Sequence, residues 1–404
     1  MKKKLLIFLL GGKLNPLKSS KLEIKKFEEH NIDVQVHEMV DIINTQLKET
    51  FANSIDSEQV KSFSNFNEWE KELLKLEEKY KKDNILIMNE VRIIDWNTFK
   101  INYLIKKLKI RTIEFTDLDI PGYKFHDPLK SIFGLLSIKT KKVIVKKIYL
   151  FLKKKFFSFL KKIFKFYPDY FLVFGKKSIV EFEEIYKNQK SKLLLGNSFD
   201  YNLYLSQKRI SFINNIKKDY ALFLESPFPF FLGDTVILGE DKKMLGDPLK
   251  WEISFDNFCS FLEKKFNLEV YIANHPRVRH ESQNPKYYRG RTVLTDPLFK
   301  TSKNAKLLIN RISTGITYGI IYNVPIMFIN SSDLLINRPN LLIRQNFLAS
   351  QLGKTTINID NDLNEKIQND IFEINDKKYN DYKKNFVTTR NDQMLNSNLI
   401  QELF

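Results

Sequence analysis

Two short loops carry the residue types best suited to chemistry. His275-Pro276-Arg277 follows the run EVYIAN, and Ser313-Thr314-Gly315 follows the run KLLIN. Both runs are apolar and β-prone, the pattern of strands buried in a parallel sheet. In an open α/β sheet, ligands collect beyond the carboxyl ends of the strands, which is where both loops would lie. Pro276 keeps His275 out of helical backbone, and an imidazole there can donate to a phosphate oxygen, whose charge would in turn favour the protonated ring. Arg277 adds positive charge to the same loop. Ser313 or Thr314 would cap the helix that follows, while Gly315 would let a ligand approach closely. Open N–H groups beside two hydroxyls make a phosphate site. A loop histidine can also be purely structural and a Ser-Thr pair a plain helix cap, and capping is compatible with phosphate binding. The chemistry expected is retention of the phosphate of a nucleotide-activated sugar.

An inverting sugar transfer also needs a carboxylate or histidine to take the acceptor's proton. The carboxylates expected at strand ends are Glu90, Asp117, Asp119, Asp200 and Glu225. Of these, Glu225 closes the first strand of the second half and should face a cleft, and Asp117 and Asp119 lie in a DLDIPG turn. These three are the candidate catalytic acids. Asp117-x-Asp119 also resembles a short metal motif, but His126 and His280 have no partners at metal-ligand spacing, so metal-independent chemistry is expected. The single cysteine, Cys259, excludes an intrachain disulfide framework and a Cys-rich zinc site.

The elements that must position these residues alternate. KLLIFLL reads as a strand, Gly11-Gly12 as a tight turn, and IDVQVHEM as a second strand. NEWEKELLKLEEKYKK reads as a charged amphipathic helix, NILIMNE as a buried strand, and SKLLLGNSFDYNLYL as a strand with a polar loop after it. That order implies doubly wound parallel sheets. The expected plan is α/β: two Rossmann-type domains facing across a cleft. An acceptor-side domain spans 1–205, a nucleotide-sugar-binding domain spans 206–355, and a helical tail fills 356–404.

One stretch departs from its surroundings. Residues 139–166 contain eleven lysines and no acid, with Ile144, Ile148, Leu152, Phe156, Phe159 and Ile163 at helical spacing. With a net charge of +18 for the chain, such a basic amphipathic helix suits an anionic membrane surface. The alternative is a soluble helix whose apolar stripe packs on its own domain. No recognised nucleic-acid-binding motif is present, so no nucleic-acid partner is expected. MKKKLLIFLLGG imitates a signal peptide, but its apolar run is short and reads better as a first strand. No run approaches the ~20 apolar residues that span a bilayer. The expected location is cytoplasmic, peripheral on the inner face of the cell membrane.

The pairing of NHPR with a downstream STG before a short helix resembles bacterial GT-B glycosyltransferases that build surface carbohydrate. In particular it looks like the sialyltransferases and Kdo transferases that use CMP-activated sugars. His275-Pro276 and Ser313-Thr314 match those families' HP and S-S/T motifs, whose side chains hold the CMP phosphate. The flanking LFLESPFP, GRT and STGITYGIIYNVPIMFI fit the same pattern. The resemblance covers about 195–335 and extends to residues 1–190 only as architecture. It implies an inverting transferase with no cofactor beyond the nucleotide-sugar donor, acting on a surface glycan or glycolipid in capsule or lipopolysaccharide synthesis. The families' acidic motif is poorly matched, by Asp117-Leu118-Asp119 with Gly122. A nucleotide-sugar epimerase would share the plan but needs carboxylates and histidines converging on the sugar, and the five histidines here are scattered. A non-catalytic membrane- or polyanion-binding protein is the third reading.

Overall fold

The run KLLIFLL is apolar on both faces because it becomes an interior strand of a parallel sheet covered on both sides. In this computed structural model, which describes residues 3–43, 55–115, 141–186, 190–207, 219–225, 247–274, 288–337, 339–361, 363, 367–390 and 394–404, Leu5 to Leu9 are fully buried. The first unit runs β1 (Lys4–Leu10), α1 (Pro16–Lys21), α2 (Ile24–Glu29), β2 (Ile32–Glu38), α3 (Val40–Ile43), β3 (Val60–Ser62), α4 (Phe66–Tyr80), β4 (Ile85–Asn89), α5 (Trp96–Lys107) and β5 (Arg111–Phe115). It continues through α6 (Lys141–Ile163), β6 (Tyr170–Val173), α7 (Lys176–Tyr186), β7 (Lys192–Leu195) and α8 (Phe199–Gln207). Its seven parallel strands lie in the order β3-β2-β1-β4-β5-β6-β7. Alternation along β1 divides the core, as a two-residue period requires. Leu5, Ile7 and Leu9 pack with Trp69, Leu73 and Ile101 of α4 and α5, whereas Leu6, Phe8 and Leu10 pack with Ile24 and Phe27 of α2.

The second unit repeats the plan with β8 (Tyr220–Leu224), α9 (Pro248–Phe266), β9 (Glu269–Ala273), β10 (Val293–Leu294), α10 (Leu298–Thr301) and β11 (Leu307–Asn310). α11 (Ile316–Tyr322), β12 (Ile326–Asn330), α12 (Ser332–Asn337), α13 (Pro339–Gln351) and β13 (Thr356–Asn358) complete it. Its six parallel strands lie in the order β10-β9-β8-β11-β12-β13. In each sheet the chain starts in the middle, winds outward on one side, and returns to wind outward on the other. The strand order therefore reverses between β1 and β4 and again between β8 and β11. At such a switch point the flanking loops part and leave a crevice beyond the carboxyl ends.

Two sequence expectations are corrected. The polar loop expected after SKLLLG is the helix α8; its Asp200 and Asn202 are buried along with Phe199 and Leu203, so burial does not follow polarity there. The stretch 356–404 is more than a helical tail. β13 closes the second sheet, and α14 (Asp376–Tyr382) and a π-helical turn, Lys383–Val387, bury Tyr379, Tyr382, Phe386 and Val387 in the second core. The chain then crosses back, and α15 (Asn396–Gln401) places Ile400 in the first core, with Leu403 and Phe404 packed against it.

Candidate functional site at the second switch point

Four buried side chains meet where the second sheet reverses. Glu225 follows β8, Arg311 follows β11, Trp251 lies near the start of α9, and Tyr288 lies just before β10; each is at most 4% exposed. α9 starts at the same sheet edge because it follows β8, and Asp247 caps it by accepting from Leu249 N–H at 3.0 Å. The Arg311 guanidinium lies over the Trp251 ring, 3.9 Å from its centroid. Such planar contact suits arginine, which is more weakly hydrated than lysine. Tyr288 Oη donates to Glu225 Oε1. Burial pulls the Arg311 guanidinium down to about 9, opposed by the nearby Tyr288 and Glu225, so it stays charged at neutral pH. Burial, then the Glu225 charge and their hydrogen bond, pushes the Tyr288 phenol far up, so it remains a donor.

Around this cluster, strand-end amides are left open. Asn274 Oδ1 after β9 and Asn310 Nδ2 at the end of β11 are buried without a hydrogen-bond partner among the described residues. Both strands are close to β8: β9 pairs with it on one side and β11 on the other. A buried amide atom without a partner costs free energy unless a ligand or water completes it.

The Ser313-Thr314-Gly315 turn follows directly. Asn310 Oδ1 accepts from Ser313 N–H at 2.8 Å, and Ser313 Oγ accepts from Gly315 N–H at 3.1 Å. Thr317 N–H and Tyr318 N–H then donate to the Thr314 and Gly315 carbonyls at 3.1 Å, which starts α11. Ser313 and Thr314 are half-buried and keep hydroxyl protons that can be given to an anion. Gly315 has a packing reason as well: a Cβ there would lie 2.4 Å from Leu298 Cδ2. The turn is thus pressed onto α10.

Among the other sequence candidates, Glu225 directly follows β8, where it is buried and engaged by Tyr288. His275, Pro276, Arg277, Asp117 and Asp119 lie outside the described residues. Asp200 is displaced from a strand end to α8, where it accepts from Tyr318 Oη of α11 at 2.9 Å and pairs with Lys21 of α1 at 2.6 Å. Glu90 follows β4 and pairs with Lys18 of α1 at 2.5 Å. Trp251, Tyr288 and Arg311 complete the cluster beyond the sequence candidates. Arg311 had a usable signal, a charge placed directly after an apolar strand; the other two are remote in sequence and show none. Among the described residues no three metal-type side chains cluster.

No family model and no curated protein sequence matches the chain. Solved structures do resemble it. The wall teichoic acid polymerase TagF aligns with a TM-score of 0.55 at 12% identity, over 100% of this chain and 88% of that one. A Listeria monocytogenes protein assigned as a UDP-N-acetylglucosamine 2-epimerase gives 0.53 at 11% identity, over 100% and 96%. MnaA of S. aureus, solved with UDP, gives 0.52 at 13% identity, over 99% and 94%. The fold is GT-B, with two Rossmann-like domains.

Proposed function

We propose that the chain is a glycosyltransferase that moves a sugar from a nucleotide-activated donor, with inversion, onto a surface glycan or lipid-linked acceptor. One observation carries the reading: Arg311, the open Nδ2 donor of Asn310 and the Ser313-Thr314-Gly315 turn converge at the switch point between β8 and β11. Donors and a fixed positive charge at a crevice of that kind favour the negative charge that develops on a departing nucleotide. His275, which follows β9 in sequence, would join Ser313 and Thr314 at the phosphate. The choice of CMP rests on the resemblance of these residues to the HP and S-S/T motifs. Glu225 would position Tyr288 and Arg311 from its buried place, and the acceptor's proton would pass to Asp117 or Asp119. The UDP in the S. aureus structure and the assignment of the Listeria protein to UDP-N-acetylglucosamine support the substrate class.

The second reading is a nucleotide-sugar epimerase, favoured by the likeness to the Listeria structure. Product analysis separates the two. The transferase reading expects donor consumption only when an acceptor is supplied, with a new glycosidic product. Conversion of the nucleotide sugar into its epimer without acceptor would replace it with the epimerase reading.

A further inference from the structure

Helix α6 turns its apolar stripe outward. Ile148, Tyr149, Leu152, Phe156, Phe159 and Ile163 are 45–62% exposed. Five of them recur at intervals of three or four residues and so share one face. The face toward the domain is marked by Phe157, which is buried against Trp96 of α5 at 5.5 Å between ring centroids. Lys161 pairs with Glu114 at 3.7 Å, and Lys106 donates to the Lys165 carbonyl at 2.9 Å, so the helix is fixed to the sheet. At these described positions the stripe is thus largely exposed, although Phe156 also touches Trp96 at 5.8 Å between ring centroids.

α6 also runs alongside α5 in the same direction. Phe157 meets Trp96 at the start of α5, and Phe164 meets Phe99 and Tyr103 farther along it. α5 follows β4 and so begins at the carboxyl edge of the first sheet. At about 1.5 Å per residue, the part of α6 before Phe156 extends roughly 22 Å past the level of Trp96. Ile148, Tyr149 and Leu152 of the outward stripe accordingly overhang that edge, while Phe156, Phe159 and Ile163 lie alongside α5.

We infer that this face, with Trp96 and Tyr103 of α5, docks flat on an anionic phospholipid surface. The proposal extends beyond sugar transfer and stands without it. Its occupant follows from charge and residue type. The eleven lysines of 139–166 oppose pairing with a second, equally basic copy. Nucleic acid would meet an apolar ridge of Phe, Leu and Ile rather than a phosphate-binding groove. A bilayer interface accepts both features: apolar side chains enter the acyl boundary while lysines reach the headgroups. Lys155 and Lys162 are exposed, and the Lys155 ammonium lies 5.6 Å from the centre of the Phe151 ring, a stem laid along the apolar surface with its charge outward. Trp96 and Tyr103 are amphipathic rings suited to the headgroup level.

The test uses the full chain and vesicles of phosphatidylcholine with and without phosphatidylglycerol. Of the three tryptophans, Trp69 and Trp251 are buried and Trp96 is 56% exposed, so quenching by brominated lipid reports Trp96. The protein is expected to float with phosphatidylglycerol vesicles, to be quenched there, and to be released by salt. Leu152→Ser/Phe159→Ser/Ile163→Ser, at exposed positions, should lower partitioning by at least about tenfold. Lys155→Glu/Lys162→Glu should flatten the salt dependence. Both variants should bind nucleotide in vesicle-free solution like the parent, which keeps the outcome separate from donor recognition. Equal binding to neutral vesicles, no quenching of Trp96, or a self-association abolished by the triple variant while vesicle binding persists would each overturn the proposal.

Discussion

Arg311 illustrates how a buried side chain acquires a defined role. Desolvation disfavours its charge, and the Trp251 face, Glu225 and Tyr288 offset that cost enough to keep it ionised. A charge held in this way needs no rearrangement when negative charge develops nearby. His37 shows the opposite solution. It is fully buried, and Trp69 Nε1 donates to its Nδ1 at 3.2 Å. An indole nitrogen only donates, so Nδ1 must accept and the ring must be neutral, its Nε2–H directed at Gln35 Oε1 at 3.0 Å. Burial, with Lys61 adding to it, holds His37 at about 3. The folded value lies below the free one, so between pH 6.5 and 3 the unfolded chain binds the extra proton. The stability from neutral His37 is present above pH 6.5 and is lost as pH falls, by about 2 kcal/mol at pH 5. Urea unfolding at pH 7 and pH 5 should show that slope, and His37→Gln, which keeps an acceptor for Trp69, should flatten it; an unchanged slope would contradict the assignment. At this scale the hydroxyl turn was legible because Ser-Thr-Gly after an apolar strand has local meaning. Tyr288 was not, since it reaches Glu225 across 63 residues of sequence.

At the scale of elements, the sequence disclosed strands better than the closing segments. Long apolar runs such as KLLIFLL and NILIMNE have one reading in an alternating chain. Helix α8 and the returning segment depend on contacts made elsewhere. Asn396 explains the latter: its Oδ1 accepts from Asn197 N–H at 2.9 Å, its Nδ2 donates to Asn197 O at 2.8 Å, and its N–H donates to Asn202 Oδ1 at 2.9 Å. Gly175 supports the same crossing, with φ +79° and Asn385 O only 2.2 Å from where a Cβ would stand. Local pattern cannot foresee an asparagine buried 199 residues from its partner. Asn396→Ala leaves Asn197 N–H and C=O buried without partners, a cost of about 2–4 kcal/mol. Chemical denaturation should register it mainly as unfolding of the first domain. A change below 0.5 kcal/mol would mean that the returning helix contributes little.

Across the whole molecule, α11 joins the hydroxyl turn to the domain arrangement. Its first turn is set by Ser313-Thr314-Gly315, while Tyr318 of the same helix donates to Asp200, which pairs with Lys21 of the first domain. Leu203, Phe299 and Tyr318, with Leu17 of α1, pack around that junction. The two-domain plan was legible from the alternation of strands and helices, since each half had to bury its own sheet. The junction was not, because Lys21, Asp200 and Tyr318 are dispersed and individually ordinary. No helix among the described residues is long and apolar enough to cross a membrane. The central claim is that the second switch point holds the phosphate of a nucleotide. Calorimetric titration of the full chain with CMP, CDP, UDP and GDP tests it most directly. The account predicts saturable binding of at least one nucleotide, weakened about tenfold or more by Ser313→Ala/Thr314→Ala, as expected for hydrogen bonds to a charged group. Absence of binding by all four, or binding that the double variant leaves unchanged, would contradict it.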